Sequence, residues 1–208
     1  MANLKRYSKT EAIRIITDCA KGYNAELKNK RFLIAYEEHD KLKYHTIIFR
    51  AENYLHLTGV VARDYAKTFY SKCINRKLSP NDFEFDKFGY AHLKLSVLHK
   101  VPTMFYNHTL RGDFLRIGTY IDADYFIGIP GNTVSLGFRV STTSDDRPVT
   151  LYHENIEKLT ISTQKVLGVW RLDKSGSVNT YLAREQDEDA LTKRLLAIDA
   201  PLKVPVSV

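Results

Sequence analysis

The length, composition and charge of the chain exclude several classes of protein. Its 208 residues are 44% hydrophobic and 26% charged, which is typical of a folded globular protein and excludes disorder over most of the chain. Lys and Arg number 31 against 24 Asp and Glu. The resulting net charge of +7 favours a polyanion as partner, although many basic domains bind no nucleic acid.

Hydropathy and cysteine usage indicate the cellular compartment. No stretch approaches the roughly 20 apolar residues of a membrane span, and residues 1–30 lack the apolar core of a secretory signal. The two cysteines, Cys19 and Cys73, are too few for a disulfide scaffold or a cysteine-rich zinc site, and we expect both to be buried free thiols. We therefore expect a cytoplasmic protein with no membrane partner.

The N-terminal part of the chain predicts a helix followed by a hairpin. Ser8 and Glu11 form a capping-box pattern ahead of apolar residues at helical spacing, and Gly22 is expected to end this helix. Residues 32–36 and 44–49 are apolar runs on either side of a polar turn, which predicts two antiparallel strands.

The segment that follows predicts two more helices. Residues 53–59 are expected to lead from a strand into a helix that carries Arg63 and Lys67 at four-residue spacing. Another helix is expected over residues 88–99, with Pro102 ending it.

The second half of the chain changes to strand patterns separated by turn signals. Strands are expected over residues 125–129, 133–140, 149–152, 166–172 and 178–183. The acidic cluster from Glu185 to Asp189 is typical of a helix start, a closing helix is expected over 188–198, and residues 201–208 are expected to be a flexible tail. The order of elements predicts a single α+β domain over 1–208, in which N-terminal helices and a hairpin pack with a C-terminal antiparallel sheet.

Familiar catalytic signatures are absent from the sequence. It contains no phosphate-loop motif, dinucleotide glycine fingerprint, HExxH, zinc-ligand spacing or Gly-x-Ser-x-Gly elbow. We therefore expect neither a metal site nor a cofactor.

The sharpest local feature is the run Leu-His-Leu-Thr-Gly around His56. A histidine at a helix entrance can act as acid or base near neutral pH. Thr58 and Gly59 can offer a hydroxyl and backbone amides to a phosphate, and Arg63 and Lys67 can hold the anion. The residues alone leave open the alternative that His56 only caps or packs at a strand end.

Cleavage of RNA without a metal requires few groups. A base removes the 2′-hydroxyl proton, an acid protonates the leaving oxygen, and a cation or amide stabilises the phosphorane. Arg139 and Lys165, in the β half, are further candidates for these roles. Each is equally typical of a solvated strand end, and only convergence in space with His56 would favour a catalytic role.

Several motifs in sequence order resemble a known family. The motifs are Tyr54–Gly59, Asp124–Gly128, Val134–Arg139, Pro148–Leu151 and Lys165–Arg171. Their order resembles the phage-type Barnase–EndoU–Colicin–RelE-like nucleases over roughly residues 10–182, and the His-Leu-Thr-Gly block is the most specific part.

The resemblance implies both a fold and an activity. The fold, named BECR after these nucleases, has N-terminal helices leading into a small twisted antiparallel sheet. The activity is metal-independent RNA cleavage by a phage or mobile element, often as a toxin or effector, for which an antitoxin or a host protein would be a second partner. By resemblance, the site includes His56, Thr58 and Gly59, together with Arg139 and Lys165.

Three functions therefore compete. The first is a ribonuclease in which His56 is the acid or base and Arg63, Lys67 and Arg139 bind phosphate. The second is a catalytically inactive module that binds nucleic acid or a host protein during phage–host conflict, with salt-dependent binding and no turnover. The third is an interaction module that dimerises through its aromatic residues, which can equally fill the core. These aromatic residues are Phe105, Tyr106, Phe114, Tyr120, Tyr125 and Phe126.

Overall fold

Helices, one large antiparallel sheet and one two-stranded antiparallel sheet make up the described part of the fold. The computed structural model describes residues 5–115, 123–172, 180–184 and 187–202. Within these ranges the α-helices are α1 (Lys9–Glu26), α2 (Asn53–Thr58), α3 (Ala66–Ile74), α4 (Tyr90–Val97), α5 (Ile156–Leu159) and α6 (Glu188–Leu196), and a 3-10 helix spans Leu98–Tyr106. The strands are β1 (Arg31–Glu38), β2 (Lys41–Ile48), β3 (Val61–Ala62), β4 (Phe83–Glu84), β5 (Leu110–Asp113), β6 (Tyr125–Gly128), β7 (Ser135–Arg139), β8 (Arg147–Tyr152), β9 (Gln164–Leu172) and β10 (Thr180–Arg184). The predicted α+β class is confirmed.

The predicted hairpin belongs to the same sheet as the C-terminal strands. The strand order is β2-β1-β9-β5-β6-β7-β8, with β10 also paired to β9, and every one of these pairs is antiparallel. Strand β9 joins the two halves because its first residues pair with β5 and its remainder pairs with β1. His39 and Asp40 make the hairpin turn in the left-handed conformation, with φ of 50° and 60°.

The two ends of the strand order meet at Asp146. Its backbone N–H donates to the Thr46 carbonyl (2.7 Å), and its carbonyl accepts from the Ile48 N–H (2.9 Å). Its buried carboxylate lies 2.8 Å from His45 Nδ1 and accepts from the Tyr125 hydroxyl at 2.9 Å. The sheet is therefore curled until β2 and the start of β8 are in contact.

Helix α1 begins as its sequence predicts and ends later. The Ser8 and Glu11 side chains form the complete capping box, and Ala12, Ile16 and Ala20 are fully buried in the core. The expected stop at Gly22 is wrong, because the helix continues to Glu26. A Cβ on Gly22 would lie 3.0 Å from Pro102 Cγ, so this glycine permits close packing against the 3-10 helix.

The segment after the hairpin differs most from the expectation. Residues 53–58 form helix α2 instead of a strand, and Arg63 precedes α3 instead of lying on a helix with Lys67. Pro102 lies inside the 3-10 helix and does not end α4. Proline has no backbone N–H, so Pro102 removes only one potential hydrogen-bond donor from the 3-10 helix, and the helix tolerates this loss.

The expected closing helix is confirmed, and Leu202, in the stretch expected to be a flexible tail, is buried in one cluster with Leu191 and Leu195 of this helix. Asp187 caps α6 by accepting from the Ala190 N–H, and Glu188 and Asp189 occupy its first turn.

Of the aromatic residues, Phe105, Phe114, Tyr125 and Phe126 are buried, Tyr106 is exposed, and Tyr120 lies outside the described residues. Residues 173–179, which include the first residues of the strand expected at 178–183, Glu185 and residues 203–208 also lie outside them. In the part of the chain that the structure describes, no helix combines the length and apolar character needed to cross a membrane.

Candidate active site

Helix α2 presents His56 at the surface. The Arg50 N–H donates to Asn53 Oδ1 (2.8 Å) at the start of this short helix, and Tyr54 and Leu57 are buried beneath it. Glu52 and His56, one helical turn apart, are exposed on the opposite face. The expectation that His56 lies at a strand end is wrong, since it belongs to the last turn of a helix.

Thr58 and Gly59 shape the end of α2. The fully buried Thr58 hydroxyl donates to the Leu55 carbonyl at 2.7 Å, and Gly59 ends the helix in the left-handed conformation with φ of 73°. Both residues therefore lie at the carbonyl end of a helix. The expected arrangement, a phosphate bound at a helix start, is wrong because the free N–H groups of α2 are at its other end.

Lys94 on α4 holds the end of α2 against β8. Its ammonium group donates to the carbonyl oxygen of His56 (3.0 Å) and to Thr150 Oγ1 (3.1 Å). Burial lowers the pKa of Lys94 to about 8, because the ammonium form loses hydration there. Lys94 therefore links the His56 backbone to the edge strand of the sheet.

The environment of His56 favours the neutral imidazole. Partial burial of the ring lowers its pKa below 6.5, and the positive charges of Lys94 and Arg147 lower it further. A histidine with this shift is neutral at pH 7 and can accept a proton.

His56 and two arginines line one small cavity. This His56 cavity has a volume of 360 Å³ and is lined by Glu52, Asn53, His56, Arg139, Arg147, Pro148 and Val149. Arg139 and Arg147 are cross-strand partners in the β7–β8 ladder, so their side chains project from the same face. Two like charges placed opposite each other destabilise a sheet, and an anion bound between them removes this cost.

Cavities on both sides extend the site into a basic strip. A second cavity of 640 Å³, which we call the Lys67 cavity after one of its lining residues, adjoins the His56 cavity at Glu52. A third cavity, of 290 Å³ and beside Ser141, adjoins the His56 cavity at Arg139 and Arg147. The cations along this strip are Lys28, Arg50, Lys67, Arg139 and Arg147. Its acidic lining residues are Glu52 and Asp145, and the latter carboxylate is 2.7 Å from Arg31.

Comparison with known families identifies the class of protein. A family model described as phage-Barnase-EndoU-ColicinE5/D-RelE like nuclease4 matches residues 15–186. The chain belongs to this nuclease family. Among curated proteins and among solved structures, none matches the chain.

The remaining predicted residues of this nuclease do not all reach His56. Lys67 lines the neighbouring cavity that bears its name. Arg63 is exposed and forms an ion pair with Glu84 at 3.1 Å, and Lys165 lies on β9 opposite Leu110. Neither Arg63 nor Lys165 lines any of the three cavities.

Three residues of the candidate site are not predicted from the sequence. Glu52 and Arg147 line the His56 cavity, and Lys94 contacts the His56 backbone. The four-residue spacing of Glu52 and His56 would have paired them if the segment had been assigned as a helix. No local pattern marks Arg147 or Lys94, because both reach His56 only through the tertiary fold.

The described residues also contain no metal cluster. Within 5–115, 123–172, 180–184 and 187–202, no three His, Cys, Asp or Glu side chains form a group that could hold a metal ion.

Proposed function

We propose that the chain is a ribonuclease that cleaves RNA without a metal and uses His56 as its general base. The observation that carries this proposal is the His56 cavity, where a histidine with a lowered pKa faces the cross-strand pair Arg139 and Arg147. Of the groups that transesterification of RNA requires, the cavity supplies a base for the 2′-hydroxyl and cations for the phosphate, and water supplies the proton for the leaving oxygen.

The proposed reaction is an internal displacement at phosphorus. Neutral His56 takes the proton of the 2′-hydroxyl as the 2′-oxygen bonds to phosphorus. The bond from phosphorus to the 5′-oxygen breaks, and the departing oxygen takes a proton from water. Arg139 and Arg147 hold the non-bridging oxygens and stabilise the charge that gathers on them. The products are a 2′,3′-cyclic phosphate and a 5′-hydroxyl, and His56 returns its proton to solvent.

Other residues have supporting roles in this proposal. Lys67 binds RNA outside the reacting centre, in the adjoining cavity. Lys94 is a positioning residue, because it contacts the His56 carbonyl and not the cavity. Thr58 and Gly59 fix the last turn of α2 on which His56 is carried.

The experiment that tests the proposal is incubation of the purified chain with mixed RNA in EDTA. We expect cleavage to 2′,3′-cyclic phosphate ends, and a loss of at least about 100-fold in rate for His56→Ala. His99→Ala is the matched control, since His99 is exposed on the 3-10 helix and lines none of the three cavities. Thermal unfolding of both variants checks that they fold.

Two results contradict the proposal in different ways. Full activity of His56→Ala would show that His56 is not the general base. A wild-type chain that binds RNA in a salt-dependent manner without cleaving it would be a binding module.

We further propose that the target is cellular RNA and that the chain acts as a toxin or effector of a phage or mobile element. The family description, which names phage, supports this context. Expression of the wild type should arrest growth of a bacterial host, and expression of His56→Ala should not. Growth arrest by both chains, or by neither, would contradict the toxin role.

A further inference from the structure

The Lys67 cavity is not used by the chemistry proposed above. Its volume of 640 Å³ lies within the range of about 300–1,000 Å³ that is usual for small-molecule sites. It shares Glu52 with the His56 cavity, so a strand of RNA whose phosphate lies at His56 has a neighbouring nucleotide within reach of it.

The lining of this cavity matches the chemistry of a nucleotide. Apolar surface comes from Ile48, Ala51, Tyr70 and Ile74, cations come from Lys28, Arg50 and Lys67, and amide groups come from Asn29 and Asn75. A nucleobase has apolar faces and a polar edge, and its phosphate is an anion. Each part of a nucleotide therefore finds a complementary group in one cavity.

Part of this lining is held in place before any ligand arrives. The Tyr70 hydroxyl donates to Asn24 Oδ1 at 3.2 Å, and the Lys28 ammonium lies 5.4 Å from the centre of the Tyr70 ring. The Asn75 amide donates to the Ser71 carbonyl at 2.9 Å. Groups fixed in this way lose less freedom on binding, which favours affinity.

Glu52 lies between the two cavities and is the acidic residue that they share. A carboxylate repels phosphate but accepts hydrogen bonds from amino groups on base edges. At this position it favours a base over a phosphate and favours bases that carry an exocyclic amino group.

We propose that the Lys67 cavity is a subsite for the nucleotide adjacent to the cleaved phosphate, and that Glu52 selects bases with an exocyclic amino group over uracil. This inference rests on the proposed ribonuclease function. Lys67 and Arg50 bind the backbone of that nucleotide, while the base lies against the apolar surface.

The first test measures binding of a 2′-O-methyl RNA oligonucleotide, which lacks the attacking hydroxyl and cannot be cleaved. We expect Lys67→Ala to weaken binding several-fold and to reduce the slope of log K against log salt by about 0.7, the value for one lost phosphate contact on a single strand. Lys41→Ala is the matched control, because exposed Lys41 begins β2 at the end opposite to Ile48.

The second test measures cleavage of oligonucleotides that differ only in the base next to the cleaved bond. The wild type should prefer adenine, guanine or cytosine to uracil there, and Glu52→Gln should reduce this preference by about tenfold. Lys67→Ala should raise KM on these oligonucleotides and leave kcat nearly unchanged, since Lys67 does not contact the reacting atoms.

The outcomes separate the subsite from the ribonuclease. Equal binding by wild type, Lys67→Ala and Lys41→Ala would overturn the subsite, and so would equal weakening by both variants. If Glu52→Gln keeps the wild-type preference for bases with an exocyclic amino group, Glu52 does not select the base. If the wild type cleaves no RNA but Lys67→Ala alone weakens binding of the uncleavable oligonucleotide, the ribonuclease proposal fails and the nucleotide subsite stands.

Discussion

At the scale of single residues, charge placement sets the chemistry of His56. The ring is partly buried, and Lys94 and Arg147 add positive charge, so all three effects oppose the imidazolium form. Arg147, which lines the His56 cavity, thus both suits a phosphate and helps to keep the base unprotonated.

This charge placement predicts the pH dependence of cleavage. A general base works only when deprotonated, so kcat/KM should fall as the pH drops through the pKa of His56, with a midpoint below 6.5. Lys94→Met removes one positive charge, which raises the pKa of His56 and moves this acidic limb to higher pH. Lys94→Arg retains the charge and should leave the limb near its wild-type position. Identical limbs for Lys94→Met and wild type would show that Lys94 does not act on His56 through charge.

At the scale of elements, the contact between α2 and α4 positions His56. Gly59 ends α2 in the left-handed conformation and lies directly against α4. A Cβ on Gly59 would be 2.7 Å from Lys94 Cδ and 3.1 Å from Ala91 Cα. The absence of a side chain therefore allows Lys94 to reach the His56 carbonyl.

Gly59→Ala should lower both stability and activity. The left-handed φ of 73° costs an alanine about 1 kcal/mol, and the contact with α4 adds to this cost. Gly131→Ala is the control, because Gly131 has a φ of 68° but a Cβ added to it would meet nothing within 4 Å. Urea unfolding should show a larger loss for Gly59→Ala, about 2 kcal/mol or more, and only this variant should cleave RNA more slowly. Equal losses in the two variants would mean that the contact with α4 contributes nothing.

The elements also show what a sequence can predict. The capping box at Ser8 and the hairpin strands were predicted well because their signals are local: a side-chain pair three residues apart and apolar runs on either side of a polar turn. Helix α2 was missed because six residues are too few to display a helical repeat. His56 and Arg139, expected in one site, line the same cavity, but Lys94 is 38 residues away in sequence from the carbonyl that it contacts, and only the fold brings the two together.

At the scale of the whole molecule, closure of the sheet fixes the basic strip. Asp146 ties the start of β8 to β2, and the next residue, Arg147, lines the His56 cavity together with Arg139. Burial raises the pKa of Asp146, but hydrogen bonds from His45, the Ser141 N–H and Tyr125 outweigh it, and the net pKa is lowered. The ionised carboxylate is therefore part of what holds the sheet closed.

Asp146→Asn should destabilise the whole protein in a pH-dependent way. The variant leaves His45 and Tyr125 without their charged acceptor, at a cost of about 2 kcal/mol at pH 7. Because the pKa of Asp146 is lower in the folded state, its contribution is complete above the ordinary value of 3.8 and is lost as the pH falls through the folded value. The stability difference between wild type and variant should therefore be constant from about pH 5 to 7 and shrink in stronger acid.

Urea unfolding at several pH values measures this difference, and Asp40→Asn is its control. Asp40 is exposed in the hairpin turn with a φ of 60°, a conformation that asparagine also accepts, so this substitution should change stability by less than about 0.5 kcal/mol. Closure of the sheet also places Arg147, and Asp146→Asn should accordingly weaken RNA binding under conditions where the variant remains folded. A variant that is as stable as the wild type at pH 7 would show that the backbone bridge between β2 and β8 closes the sheet without the carboxylate.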